Sequence, residues 1–279
     1  NFRYDLNKSK KKSIIFLEFN PQLFSKLLQE MKNYDGDLIL INQRRPAIWN
    51  KNSLDVIKKS NCKILQLDNI LNKEEKDEIP ILVDKFSKKF EKLWKNSDIL
   101  NKIFQIDGIS FWNVIQEVLI QTYFERLPSN ISLIYSAKKI LKNSDTRCIV
   151  FLNEAGETEK TFLEFNNNKV PSILLEHGFI ERIDKTKRFD VLSDYTSFKD
   201  KIAVWGQMKK EWLVNEYKID PKKIIVTGSP RHDNYFCYES ERKNKNKFFL
   251  LLTPNPINDV NGLGSTELKL QFNKIIEEI

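Results

Sequence analysis

Apolar residues along this chain follow two rhythms. Seven short runs carry almost no polar interruption: Ser13 to Phe19, Leu38 to Asn42, Lys63 to Leu67, Arg147 to Leu152, Val170 to Leu175, Ile202 to Trp205 and Ile224 to Thr227. Runs of this length, rich in Ile, Val and Leu and closed by Gly, Asn or Pro, predict strands buried on both faces. Between them the spacing changes to that of one-sided helices. Leu23, Leu27 and Leu28 share a face over Gln22 to Lys32, and further helices are predicted from Glu157 to about Asn167 and over Gln207 to Tyr217. Strand and helix alternate with short connections, so the expected fold is α/β with a doubly wound parallel sheet.

From Lys73 to Leu141 the pattern turns helical. Val83, Phe86, Phe90, Leu93 and Trp94 form one stripe, bordered by Lys85, Lys88, Lys89, Lys92 and Lys95. Such a helix either lies on an anionic membrane surface or packs its stripe on a core with its lysines solvated. Phe111 to Leu127 is more evenly apolar and is expected to be buried. Farther on, Ser240 to Lys247 contains no apolar residue and reads as a linker. Two domains are therefore expected, residues 1–240 with a helical insertion at about 73–141, and residues 241–279. A strand at Phe248 to Leu252 opens the second, followed by a helix capped by Ser265 or Thr266.

Composition narrows the classes. With 279 residues, 41% of them hydrophobic and 11% aromatic, the chain can bury a sizeable core. No apolar run approaches the roughly 20 residues needed to span a bilayer. Cys62, Cys148 and Cys237 are far apart and read as reduced thiols of a cytoplasmic protein. The formal charge of +8 suits an anionic partner. Only two histidines occur and the cysteines do not cluster, which disfavours zinc, and no Gly-x-Ser-x-Gly elbow supports a serine hydrolase. The first residue is not Met, so a trimmed or partial chain is expected.

Candidate chemistry collects at strand ends, where ligands bind in open α/β sheets. His177, between Glu176 and Gly178, stands after a strand expected to be central. An imidazole there can take a proton from a hydroxyl group at neutral pH, or it can simply hold the turn. Ser229, Arg231, His232 and Asp233 crowd the turn after Thr227, where Arg231 can clamp a phosphate or carboxylate or else pair with Asp233. Gly262, Gly264 and Ser265 precede a helix and can offer backbone N–H groups to a phosphate, although an ordinary capped turn has the same composition. Asp35 and Asp37 flank a glycine before their strand instead of after it, which reads as a turn.

Leu175-Glu-His-Gly178, Val204-Trp-Gly206 and Val226-Thr-Gly-Ser-Pro-Arg-His-Asp233 together resemble GT-B-type enzymes of surface polysaccharide synthesis. The nearest likeness is to the CDP-glycerol glycerophosphotransferase and capsule-synthesis group, with a more distant one to non-hydrolysing UDP-N-acetylglucosamine 2-epimerases, over about residues 145 to 256. The resemblance implies two Rossmann-like lobes, the first for a hydroxyl acceptor that can be lipid-linked and the second for a nucleotide-linked donor, without a metal or other cofactor. It implies that His177, with Glu176, is catalytic, that Arg231 and His232 lie near the donor phosphates, and that Asn20, Arg44, Arg45 and Glu157 face the acceptor. Residues after the linker are too few for a whole donor lobe, so an incomplete second lobe is expected. The function so implied is transfer of a sugar or polyol phosphate from the donor to the acceptor, at the inner membrane face. Alternatives are epimerisation of a UDP-sugar, separable because it needs no acceptor, and a non-catalytic basic module on a membrane surface. No aromatic stacking motif of an RNA reader appears, so nucleic acid is not expected as a partner.

Overall fold

A computed structural model describes residues 3–6, 11–154, 156–166, 169–178 and 200–233. The expected second domain, with Gly262, Gly264, Ser265 and the boundary at 240, lies outside the described residues. Its first-domain sheet has seven parallel strands: β1 (Lys12–Leu17), β2 (Asp37–Ile41), β3 (Lys63–Ile64), β6 (Asp145–Phe151), β7 (Ser172–Leu175), β8 (Lys201–Val204) and β9 (Ile224–Val226). The remaining pair, β4 (Gln105–Ile106) and β5 (Ile109–Ser110), forms a separate antiparallel hairpin.

The sheet order is β3-β2-β1-β6-β7-β8-β9. The chain winds outward from β1 to β3, then returns to β1's other side with β6, whose Ile149 sits opposite Ile15. That reversal between β1 and β6 is the switch point at which such sheets open a crevice. Helices α1 (Ser25–Glu30) and α2 (Lys51–Ser60) cover one face, packing Phe24, Leu28 and Ile57 on Phe16, Leu38 and Leu40. Helices α6 (Glu157–Asn166) and α7 (Gln207–Tyr217) cover the other, with Phe162 and Leu213 against Ile15, Leu17, Ile39, Ile41 and Phe151. Successive residues of β1 thus point into different cores. Burial on both sides is why the strands read as unbroken apolar runs.

Helices α3 (Lys73–Trp94) and α4 (Ser97–Ile103) fill the central region, and α5 (Trp112–Asn143) leads back to β6. The second half of α5 lays Ile131, Leu133, Ala137 and Ile140 on the sheet. Its first half is not buried as expected: Val114 keeps 81% and Val118 68% of their surface exposed. Among the described residues only one stripe there has a partner, because Trp112 stacks on Trp94 at 5.7 Å and Tyr123 meets Phe90 at 4.2 Å. The aromatic stripe of α3 is therefore largely spent on α5, with Phe86 and Leu93 left partly exposed among the lysines. No helix among the described residues is long and apolar enough to cross a membrane.

At the amino end of the sheet, Asp37 is buried and pairs with Lys63 at 2.6 Å. Gly36 lets β2 begin against β1: a Cβ there would collide with the Lys12 carbonyl oxygen and the Tyr34 ring. Gly36→Ala should therefore cost about 1–3 kcal/mol, seen as a lower urea midpoint at unchanged slope.

Candidate functional site

The carboxyl ends of β1, β2, β6 and β7 converge on the switch point, and one side chain ties three of them. Glu18 follows β1 with a left-handed backbone, φ 58°, a conformation rare outside glycine. Its buried carboxylate accepts the Gln43 N–H at 2.8 Å, the Arg44 N–H at 3.3 Å and the Thr158 hydroxyl at 2.7 Å. The loops after β1, β2 and β6 are thus joined at one carboxylate.

Arg44 extends the network. Its Nε lies 3.6 Å from Glu18, and its Nη2 donates to Glu159 in the first turn of α6. Glu159 is wholly buried, and its Oε2 has no hydrogen-bond partner among the described residues. That oxygen occupies the space a Gly156 side chain would need, and a Cβ on Gly156 would also come within 3.1 Å of Arg44 Nη1. Burial pushes the Glu159 carboxyl up to about 7, with Arg44 pulling the other way. Near neutral pH this group is poised between its acid and its base.

His177 stands at the end of β7, an interior strand. Burial lowers its pKa, a hydrogen bond to the Leu152 carbonyl opposes that, and the Arg231 and Arg44 charges lower it further. The ring is accordingly neutral at pH 7. With one ring N–H given to Leu152, the other nitrogen keeps its lone pair. Arg231 Nη1 donates to the His177 main-chain carbonyl at 2.9 Å, bridging the ends of β9 and β7. Gly178 neither adopts positive φ nor is crowded, so the turn does not require a glycine there; Gly228, with φ 78°, does need one.

The Glu176 carboxylate accepts the Trp205 main-chain N–H at 2.6 Å, and its carbonyl accepts the Trp205 indole N–H at 2.8 Å. Trp205 meets His232 edge-on at 5.0 Å, and His232 Nδ1 lies 2.7 Å from Ser229 Oγ. These four residues lock together the ends of β7, β8 and β9. Asp233 is half-buried beside them.

Of the residues expected to face an acceptor, Arg44 alone joins this cluster. Asn20 Oδ1 accepts the Gln22 N–H at 3.0 Å and shapes the turn into α1. Arg45 is exposed, and Glu157 pairs with Arg126 at 2.5 Å on the surface. Glu18, Thr158 and Glu159 were not anticipated. The one available signal was a glutamate inside the apolar run Ile14-Ile-Phe-Leu-Glu-Phe19, since a carboxylate is rarely buried unless it is paired.

No family model matches the sequence, and no curated protein matches it either. Among solved structures, the chain is similar to a UDP-GlcNAc 2-epimerase from Neisseria meningitidis crystallised with UDP-GlcNAc, at 15% identity and a TM-score of 0.42, covering 83% of this chain and 50% of that one. It is also similar to a glycosyltransferase from Rickettsia africae, at 10% identity and a TM-score of 0.36, covering 85% of this chain and 51% of that one. The chain spans about half the length of each.

The raised pKa of Glu159 makes stability depend on pH. The folded state favours the protonated carboxyl, so its contribution is complete below the ordinary value of 4.5 and is lost as pH rises through about 7. Over that window urea denaturation should show a loss on the order of 3 kcal/mol. Glu159→Gln should remove most of this dependence.

Proposed function

We propose that the chain is the acceptor lobe of a GT-B-type transferase, moving a sugar or polyol phosphate from a nucleotide-activated donor to a hydroxyl group. What carries this reading is His177: a neutral imidazole at the carboxyl end of an interior strand, with one nitrogen fixed by Leu152 and guanidinium groups acting on it from two loops. The motifs around Glu176 to Gly178, Trp205 and Gly228 to Asp233 that resemble such enzymes fall together in space, at the ends of β7, β8 and β9.

In this mechanism the free nitrogen of His177 takes the proton of the acceptor hydroxyl as its oxygen bonds to the transferred group. The bond to the donor's leaving phosphate breaks in the same step. Arg231 offsets charge on that phosphate, so positive charge comes from the chain itself and the reaction runs without a metal. Glu176 supports the base by holding Trp205 and the β8 end. The acceptor belongs to surface polysaccharide or glycolipid synthesis, and Phe86 and Leu93 with Lys85, Lys89 and Lys92 bring the protein to an anionic membrane face.

With donor and acceptor supplied to the intact protein, His177→Ala should lower kcat/KM by about 100- to 10,000-fold. The base must be unprotonated, so kcat/KM should fall as pH drops through a value below the ordinary 6.5, and the variant should lack that limb. Unchanged turnover in His177→Ala would remove the assignment. An altered sugar released without acceptor would replace transfer by epimerisation.

A thermal-shift screen with CDP-, UDP-, GDP- and CMP-linked compounds should give stabilisation by one donor class, because a ligand that binds only the folded state raises its stability with occupancy.

A further inference from the structure

Arg44 is held from behind. Its Nε and Nη2 face the buried carboxylates of Glu18 and Glu159, while its side chain keeps 43% of its surface open. Nη1 has no acceptor among the described residues and lies beside Gly156, where no side chain intrudes. Arg231 reaches His177 from the opposite side of the switch point, committing one nitrogen to the His177 carbonyl and leaving Nη2 and Nε without acceptors among the described residues. The contact with Glu159 at the start of α6 puts the Arg44 guanidinium at the exit of β6, the strand beside β7, and Arg231 holds the His177 main chain itself, so both charges fall near one imidazole.

We propose that Arg44 and Arg231 form one oxyanion subsite astride His177, suited to a phosphoryl or carboxylate group, and that filling this subsite is what readies His177 to accept a proton. The physical reason is charge compensation. Two cations beside a half-buried ring oppose its protonation, and an anion between them cancels that opposition. The ring then moves toward its ordinary proton affinity, where a base works best near neutral pH. Among the described residues, the charges that act on the ring are these two guanidinium groups, and no carboxylate, Glu154 and Asp233 included, is among them. The Leu152 carbonyl is neutral, the Glu176 carboxylate is turned to Trp205, Lys209 lines the same wall from α7, and Glu18 and Glu159 stand behind Arg44. Anion and proton therefore bind cooperatively, each tightening the other by the same factor. The catalytic half of this proposal rests on the transferase reading; the subsite does not.

The test uses the fact that His177 and His232 are the only histidines, so selective isotopic labelling of the intact chain gives two imidazole titrations by NMR. Without ligand, the His177 midpoint should lie below 6.5. Inorganic phosphate, at ionic strength matched with sodium chloride, should raise it by roughly 0.5–1 unit and move His232 far less. Acetate serves as the carboxylate probe: a shift with phosphate alone assigns the subsite to phosphoryl groups, and a shift with both admits carboxylates. Arg231→Gln and Arg44→Gln should each raise the ligand-free midpoint and shrink the phosphate effect. Arg44→Gln leaves two buried carboxylates without their counter-charge, so the double variant Arg44→Gln/Glu159→Gln is measured beside it. The proposal fails if phosphate leaves His177 unmoved in the folded wild-type chain, or moves it equally in the double variant. An inactive His177→Ala together with no phosphate effect would keep the base and remove the subsite. An active His177→Ala with a clear phosphate effect would do the reverse.

Discussion

The crevice depends on the burial of the Glu18 carboxylate. Removing a carboxylate from water is costly unless donors replace the lost hydration, and here three donors come from two separate segments, the loop after β2 and the start of α6. Two are main-chain N–H groups of Gln43 and Arg44, and the third is the Thr158 hydroxyl, 140 residues away in sequence. Each donor is fixed in place by the requirement that the charge be satisfied. The left-handed backbone at Glu18 is tolerated because this network over-determines it. Arg44 then takes its orientation from the same carboxylate, and through Arg44 the network reaches Glu159 and the field around His177.

Beyond the switch point a second, less charged lock operates. Glu176, Trp205, His232 and Ser229 join the ends of β7, β8 and β9 by hydrogen bonds and an edge-on ring contact. Arg231 adds a strut from the β9 loop to the main chain at His177. The imidazole is thus mounted between two rigid pieces, one organised by a buried anion and one by a tryptophan. Among the described residues, its one polar ring partner that is not a charge is the Leu152 carbonyl, at the end of the strand next to its own.

Much of this was legible in the sequence because it is local. Seven apolar runs became seven strands, since burial on both faces leaves no polar positions to blur them. The helix at Gln207–Tyr217 matched its expected bounds, and the strand-end positions of His177 and Arg231 followed from the glycines and turns beside them. What could not be read was pairing at a distance. Glu18 looked like one residue of a strand, and Glu159 like one residue of an acidic helix start, because nothing local says that Arg44 will stand between them. Phe111 to Leu127 failed for a related reason: apolar content does not say how many faces a helix will have covered, and α3 covers only one face of this part of α5.

The sheet order carries a consequence for how the protein is made. β1 lies inside the sheet, between β2 and β6, and its β6 neighbour arrives late in the sequence, with Ile14 beside Cys148. As the chain leaves the ribosome, β1, β2 and β3 can pair early, but one edge of β1 stays open until β6, whose residues lie more than 130 positions after their partners in β1, has emerged. An unpaired apolar strand edge is a template for pairing with other chains. For the same interval Glu18 lacks its Thr158 partner, so a charge remains at the end of that open edge. The carboxylate that later organises the crevice is, until then, a deterrent to the wrong strand.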